Sequence, residues 1–505
     1  MTQNFAEALN GSAHPLEAIP VLDFEAFQQT ILDQASEKVK LACLTADRNR
    51  RAFAILADIS GKKFKIFRSV FPEAFPSMTP KCRQAHLFER EIAEQWGLLP
   101  EGHPWLKPIR FHKLLGSAES GPIWPLEGPG IQNFYEVEGS EVHEVAVGPV
   151  HAGIIEPGHF RFQCHGENVF HLEIALGYQH RGIERALEGG PGRLSMKMIE
   201  TASGDATIGH GLAYLSSIEA LMGIQLAEKS VIIRALALEL ERLANHVGDL
   251  GALAQDAGFQ PTSAYCGRLR GDFLNLTAEI CGNRLGRDLL AVGGVSFDIH
   301  TALAQKLLKQ LADIEADLVE AVELIWNTSS VASRFEGAGK ISKATALELG
   351  MVGPAARASG VDLDVRRDFP LAPYDLIPMS IALEETGDIY ARARIRAAET
   401  QTSIRFVRSA IRALQDMEPS PATPSATEPI KLMPNSIAIG AVEGWRGMIF
   451  HMAITGENGQ FERFKIVDPS FHNWPGLTLA MRGQGISDFP LCNKSLNLSY
   501  CGFDL

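Results

Sequence analysis

Residues 219–253, EALMGIQLAEKSVIIRALALELERLANHVGDLGAL, decide how the rest of the chain is interpreted. Apolar residues recur at i, i+3 and i+4 through this stretch, which predicts a helix over Ile218–Leu253. The same periodicity predicts helices over Tyr265–Leu285, Thr301–Trp326 and Ile381–Leu414. The middle of the chain is therefore predicted to be a large helical bundle.

Strand patterns lie on both sides of the bundle. After a loose N-terminal arm at 1–20, alternating runs and one helix pattern predict a small α+β domain over 21–125. Residues 133–180 alternate again and predict an antiparallel sheet with a hairpin turn at 165–168. We assign 126–505 to one larger domain that contains this sheet, the bundle and a C-terminal β region. The fold class is α+β.

The C-terminal β region follows a linker at 416–430 that is rich in Pro, Ser and Thr. Three strand-like runs come after it: SIAIGAV, GMIFHMAIT and FERFKIV. The segments EGWR and GENGQ predict the turns that join them.

Composition and charge exclude several classes of protein. The 505 residues include 47 Lys and Arg against 60 Asp and Glu, and the resulting charge of −13 argues against nucleic-acid partners. The seven cysteines form no CxxC pair, which excludes a disulfide scaffold, a zinc ribbon and a ferredoxin-type cluster motif. Because no long uninterrupted apolar run occurs, we expect a chain that docks on a membrane complex without spanning the bilayer.

Two clusters of ionisable residues suggest proton transfer. In GYQHRGIER, residues 177–185, His180 and Glu184 are four apart and share one face if a helix starts here. Glu241 and His246 lie in ERLANH on an otherwise apolar helix, with Arg268 and Arg270 as candidate partners. Carboxylate–imidazole pairs build proton relays. The alternative interpretation of the first cluster is a surface salt-bridge helix, and that of the second is a buried structural ion network.

Several longer segments carry a family resemblance. They are GPVHAGIIEPGHFRF, ALGYQHRGIERALE, RASGVDLDVRRDFP, NWPGLTLAMRG and the opening stretch. In this order they resemble the large subunit of membrane-bound, energy-converting NiFe hydrogenases (group 4) of the formate hydrogenlyase and hydrogenase-4 type. They are also similar to the catalytic-core subunit of respiratory complex I, an NADH:quinone oxidoreductase. FEREIAEQWGLLPEGHPWLKP, residues 88–108, resembles the small partner subunit of complex I, fused here ahead of the large one.

The departures from the hydrogenase pattern concern its metal ligands. Where the resemblance places four thiolates, this chain has Ser203, Ala206, Ser499 and Gly502. A nickel–iron centre needs soft sulfur ligands, so we expect no bound nickel and no hydrogen turnover. An active hydrogenase with a different metal is the weakest alternative.

The resemblance to complex I implies a quinone site, which is also altered here. His151 matches the first histidine of the family's quinone loop, and His159 stands near the second. The family's tyrosine position falls near Gly204, so Asp205 is the nearby ionisable group. Asp256 matches an acidic position of the complex I subunit. A quinone headgroup between His159, Asp205 and the C-terminal loop is a hypothesis.

Two functions follow from the resemblance. In the first, the chain is a peripheral-arm subunit that couples electron transfer to proton or cation translocation. In the second, it is a structural or coupling module of an antiporter-type complex that has lost redox chemistry. Both imply an iron–sulfur small subunit carrying a 4Fe–4S cluster, antiporter-like and complex I-like membrane subunits, and a place on the cytoplasmic side of the inner cell membrane. No cofactor other than a quinone is expected on this chain. The proposed proton path comprises His159, His180, Glu184, Asp205, Glu241 and Asp256, and Arg268 is a further candidate site residue.

Overall fold

The computed structural model describes residues 4–112, 114–115, 132–153, 155–374, 377, 379–418 and 430–505. The joint expected near 125 lies outside these residues, as does most of the linker at 416–430. The part of the chain that is described combines helices with antiparallel sheets, which confirms the α+β fold class.

The N-terminal region is a twisted sheet covered by helices. Its elements are β1 (Ala6–Ala8), β2 (Ala13–Pro15), α1 (Phe24–Gln34), β3 (Val39–Ala46), β4 (Arg51–Asp58), β5 (Lys63–Val70), β6 (Ala74–Pro76), α2 (His86–Trp96) and β7 (Leu99–Glu101). Strands β1, β5, β4 and β3 form one antiparallel sheet in this order. Helix α2 ends before Gly97, whose φ of 71° is the left-handed conformation that glycine adopts readily.

The N-terminal arm is more ordered than the sequence predicts. Strand β2 pairs with the C-terminal sheet, where Ala13 lies opposite Ala438 and Pro15 opposite Ser436. The side chain of Asn10 also donates hydrogen bonds to the carbonyls of Phe369 and Ala441. Backbone pairing of this kind cannot be recognised from local composition, because its partner is distant in sequence.

A second sheet precedes the bundle. It contains β8 (Val142–Val147), β9 (His159–His165) and β10 (Asn168–Ala175), followed by the short helices α3 (Ile183–Leu187) and α4 (Ser195–Ile199). Strands β9 and β10 form the hairpin predicted at 165–168. Helix α3 starts at Ile183, so His180 lies before the helix and does not share a helical face with Glu184.

The helical bundle forms the centre of the larger region. Its elements are α5 (Thr207–Met222), α6 (Glu228–Asp256), α7 (Gln260–Cys281), β11 (Leu290–Ala291), β12 (Gly294–Val295), α8 (Thr301–Trp326), α9 (Ser329–Phe335), α10 (Lys343–Leu349), α11 (Gly353–Arg357), α12 (Val365–Asp368) and α13 (Ile389–Leu414). The single helix predicted over Ile218–Leu253 is two helices, because Gly223 ends α5 with a φ of 67°. Helices α6, α7, α8 and α13 bury their apolar stripes against one another.

The chain returns through a third sheet and a helical tail. The elements are β13 (Ser436–Gly444), β14 (Gly447–Thr455), β15 (Phe461–Val467), α14 (Pro469–Ala480), α15 (Phe489–Leu496) and α16 (Tyr500–Phe503). Strand β13 packs against α5, and the tail packs on α14. The tail is thereby held beside the start of α5. Among the described residues, no helix is both long and apolar enough to cross a membrane.

Candidate functional site

The start of helix α5 and the C-terminal tail meet in one small cluster. Ser203 and Ser499 are both buried, and their hydroxyl oxygens lie 2.9 Å apart. The hydroxyl of Ser499 also caps α16 by accepting a hydrogen bond from the amide of Gly502 at 2.9 Å. Ala206 is buried at the residue before α5. The four positions predicted from the family resemblance are thus brought to one region by two distant segments.

These side chains do not fit a nickel–iron centre. Two hydroxyls, a methyl group and a glycine replace the thiolates that such a centre uses as ligands. A Cβ atom added at Gly502 would lie 2.7 Å from the carboxylate carbon of Asp468, so the backbone here has no room for a cysteine side chain. Within the described part of the chain, no three His, Cys, Asp or Glu side chains form a group suited to a metal ion.

An ion pair lies directly beside the two serines. The guanidinium group of Arg446 donates two hydrogen bonds to the carboxylate of Asp205, at 2.5 and 2.8 Å, and one to Ser203 at 3.4 Å. The Arg446 guanidinium carbon also lies 3.8 Å from the ring centre of Trp445. Arg446 is buried, whereas 37% of the Asp205 side chain is exposed. The pair therefore connects the cluster to the protein surface.

Glu241 lies on the other side of Asp205. Its carboxylate accepts hydrogen bonds from the amides of Ile208 and Gly209, at 2.7 and 3.1 Å, in the first turn of α5. Burial raises the pKa of Glu241 to about 8, although these two hydrogen bonds lower it, and the charge of Asp205 raises it further. Glu241 and Asp205 line the same small cavity. A carboxyl group with this pKa gains and loses its proton near neutral pH.

A chain of buried hydrogen bonds leads from the tail into the core. Asp468 caps α14 and pairs with His210 Nε2 at 3.0 Å, while His210 Nδ1 lies 3.0 Å from His451 Nε2. All three side chains are buried. Burial and the neighbouring His210 lower the pKa of His451 well below its ordinary value, so its ring is neutral.

Glu184, one of the predicted proton-path residues, belongs to a separate ion network. Its carboxylate accepts hydrogen bonds from Lys465 at 2.7 Å, Arg463 at 3.1 Å and the Ile466 amide at 3.0 Å. Lys465 also pairs with Glu91 of α2 at 2.8 Å. This buried network joins the N-terminal region to β15, whereas the alternative for this motif was a salt-bridge helix at the surface.

His180 lies near the tail but makes different contacts. Its Nδ1 lies 3.2 Å from the backbone carbonyl oxygen of Asp504, and its ring stacks on His112 with centres 5.0 Å apart. Burial, together with Arg110 and His112, lowers the pKa of His180 to about 4. The carboxylate of Asp504 accepts hydrogen bonds from the amides of Gly177 and Gln179, and burial raises its pKa to about 7. His180 is therefore a neutral side chain that orders the tail.

The two histidines predicted to bind a quinone face other groups. His159 is buried on β9, where Arg161 donates to its Nε2 at 3.2 Å and the ring of Phe134 lies beside it. Burial and the charge of Arg161 lower the pKa of His159. His151 Nε2 lies 3.0 Å from the carbonyl oxygen of Gly158 in the loop before β9. The contacts of His159 among the described residues do not include Asp205.

Two of the predicted site residues, Arg268 and Asp256, lie at the surface and not in a buried site. Arg268 is exposed and pairs with Asp272, at 2.9 Å, and with Asp317, so it is not the partner of Glu241. Asp256 is exposed at the last residue of α6. The helical pattern of α7 places Arg268 on the face opposite the buried Leu269 and Phe273, which would have indicated exposure.

Sequence reasoning missed Arg446 and the residues of the Asp468–His210–His451 chain. The segment EGWR, 443–446, predicts only a turn, and His451 is a single polar residue on an apolar strand. An arginine at the end of an otherwise apolar strand pair is the one signal that could have drawn attention to the turn. A buried histidine on a strand is recognisable only after its partners are known.

Comparisons with known proteins agree with this architecture. The membrane-bound sulfane sulfur reductase, an archaeal respiratory membrane complex, contains a chain that matches 74% of this one with a TM-score of 0.67 at 23% identity. All of that chain is covered, and at this identity the likeness shows the fold. Residues 256–504 match the model of the respiratory-chain NADH dehydrogenase 49 kDa subunit family. The fold is thus shared with a chain of a membrane-bound respiratory complex.

Two curated relatives define the family. Formate hydrogenlyase subunit 5 of Escherichia coli is 30% identical over 443 residues, which are 84% of this chain and 76% of the relative. A subunit of the NADH-quinone oxidoreductase of Clostridium beijerinckii is 29% identical over 65% of this chain and 87% of its own. The chain belongs to the family of group 4 hydrogenase large subunits and complex I 49 kDa subunits.

Proposed function

We propose that this chain serves, without a nickel–iron centre, as a subunit that couples electron transfer to proton or cation movement in a membrane-bound complex. Its relatives are subunits of membrane-bound hydrogenases and complex I-like complexes, which supports the general role. The observation that carries the coupling is Glu241, an acid whose pKa is about 8 beside the Asp205–Arg446 pair. Asp205 and Arg446 both contact Ser203, one of the four positions at which the family resemblance places a thiolate ligand.

The physical argument rests on electrostatics in a low-dielectric site. A unit charge that arrives a few ångströms away changes the free energy of a partly buried carboxylate by more than it would in water. Because the pKa of Glu241 is near neutrality, such a change alters its proton occupancy. Asp205 is partly exposed and lines the same cavity as Glu241, so it offers the proton a path toward solvent.

The proposal includes the neighbours of the chain. An iron–sulfur small subunit carries the 4Fe–4S cluster, membrane antiporter-like subunits move the ion, and the chain lies on the cytoplasmic side of the inner membrane. A quinone remains a second prediction at His151 and His159, but their contacts with Gly158 and Arg161 give it no geometric support. No cofactor bound by this chain is required.

The experiment compares Glu241→Gln with wild type in the intact complex reconstituted into liposomes. Reduced methyl viologen serves as the electron donor, and both electron transfer and ion uptake are measured. We expect the variant to assemble and to lose ion uptake by about tenfold or more, because glutamine keeps the shape but cannot carry the proton. The matched control is Asp272→Asn, a surface carboxylate paired with Arg268.

One observation favours the second candidate function, a non-catalytic coupling module. Several buried charges of the large region pair with one another, as in the contacts of Arg357 with Glu399 and Glu443 at 2.7 Å each. Such a network needs no redox partner. Wild-type uptake and electron transfer in a fully assembled Glu241→Gln complex would support this module and contradict the coupling proposal.

A further inference from the structure

A separate cavity of about 520 Å³ lies between α2, β10 and α14. Its walls are mainly aromatic and aliphatic, and include Phe88, Ile174, Phe471, Trp474 and Leu479. Its size is within the range of small-molecule sites, which are largely apolar with a few placed polar groups. It does not include the residues of the Ser203–Ser499 cluster.

Two buried polar atoms of this cavity, Nε2 of His472 and Nε2 of His171, have no hydrogen-bond partner among the described residues. His472 lines the cavity and is 4% exposed, and its Nε2 makes no hydrogen bond in the described part of the chain. The ammonium group of Lys40 lies 3.4 Å from Nδ1 of the same ring. Because a charged lysine can only donate, Nδ1 accepts and Nε2 carries the hydrogen. His472 therefore presents an unused donor, which is costly in a buried position.

Lys40, which lies beside His472, has no carboxylate partner among the described residues. It is buried and bonds to the carbonyl of Gly350. Exposed Arg482 also lines the cavity without such a pair. The cavity's own acid, Glu173, is neutralised by Lys107 at 2.6 Å. Burial lowers the pKa of Lys40 to about 7, and an anion bound in the cavity would favour its protonated form, so the cavity is electrostatically suited to an anion.

We propose that this cavity binds an amphipathic anion, an acyl chain or apolar ring system that ends in a carboxylate or phosphate. The head group accepts the hydrogen of His472 Nε2. The imidazole ring then lies between the negative charge of the head group and the ammonium group of Lys40. The apolar body lies against Phe471, Trp474 and Leu479. This site is independent of the proposed coupling role.

The test uses cis-parinaric acid, a fluorescent fatty acid, with the purified complex. We expect saturable binding with one site per chain, competed by decanoate or decyl phosphate; which of the two competes better identifies the head group. Weak binding of the methyl ester is also expected, because the ester lacks the charge. A second readout is the rise in unfolding temperature on adding decanoate, because a ligand that binds the folded state stabilises it.

Two variants locate the site. Leu479→Trp fills the apolar end and raises the dissociation constant by about tenfold or more. Arg482→Gln removes the exposed cation and raises it by about threefold. Asp272→Asn, far from the cavity, leaves binding unchanged. Absence of saturable binding, or binding that Leu479→Trp does not alter in a normally folded complex, would overturn the proposal. If a partner polypeptide closes the cavity, no saturable binding will be seen.

Discussion

Ser203 and Ser499 are 296 positions apart in the chain, yet their hydroxyl oxygens are within hydrogen-bond distance at 2.9 Å. The contact joins the segment before α5 to the C-terminal tail. In the related hydrogenases the matching positions are expected to be thiolate ligands of one metal centre. Here a direct hydrogen bond, supported by Arg446, holds the same two segments together.

Introducing a cysteine at Gly502 should destabilise the protein. The added Cβ would overlap the carboxylate of Asp468, which also holds His210 and caps α14. Overpacking of this kind costs about 1–3 kcal/mol of unfolding free energy. Thermal unfolding of Gly502→Cys measures it, with Ser487→Cys on the exposed surface as the control. Equal unfolding temperatures for the two variants would refute the steric argument.

The Arg446–Asp205 pair should show a measurable coupling free energy. Asp205 is more than a third exposed, so water screens the pair and the expected coupling is about 1 kcal/mol, below that of a fully buried pair. A double-mutant cycle of Arg446→Gln and Asp205→Asn, followed by denaturant unfolding, gives this value. Strict additivity of the two substitutions would contradict the contact. The exposed pair of Arg268 and Asp272 provides a comparison cycle.

Glu241 should make stability fall as pH rises. Its folded pKa of about 8 lies above the ordinary value of 4.5, so the folded protein binds the proton more tightly than the unfolded chain. The resulting stability is complete below pH 4.5 and is lost as the pH rises through about 8. Unfolding free energies measured across this window should decline less steeply for Glu241→Gln than for wild type. Parallel curves would show that Glu241 has no raised pKa.

Removing the carboxylate of Glu184 should be far more damaging than removing Arg268. Glu184→Gln leaves Lys465 and Arg463 without one of their buried counter-charges, and breaking such a network costs about 3–5 kcal/mol. Arg268→Gln affects only an exposed pair and should change the unfolding free energy by about 0.5 kcal/mol or less. Denaturant unfolding of both variants makes the comparison. A mild effect of Glu184→Gln would contradict its structural role.

The sequence predicts those features that depend on local pattern or on aligned motifs. Helix α8 has the predicted bounds, Thr301–Trp326, because its apolar stripe begins and ends abruptly. The position of Ser203 near Ser499 follows from the family resemblance. The break between α5 and α6 was missed, since the apolar period continues on both sides of Gly223.

Partners that come from distant segments account for most of what the sequence could not predict. The motif around Glu184 is compatible with a surface helix and with a buried ion network. The contact with Lys465 of β15, which is distant in sequence, distinguishes the two. Arg446 lies in a turn whose sequence says nothing about Asp205. Of the two predicted partners of Glu241, Arg268 was wrong because it pairs with Asp272, while Arg270 lines the same cavity as Glu241. Backbone amides of α5 bind the Glu241 carboxylate directly.

The central claim is that a subunit of this family operates without a nickel–iron centre. Its most direct test is the nickel content of the complex purified from the native host grown with added nickel, measured by inductively coupled plasma mass spectrometry. A hydrogenase relative purified in parallel is the positive control. The donor set of Ser203, Ala206, Ser499 and Gly502 predicts nickel far below one atom per chain. One nickel atom per chain would contradict the account.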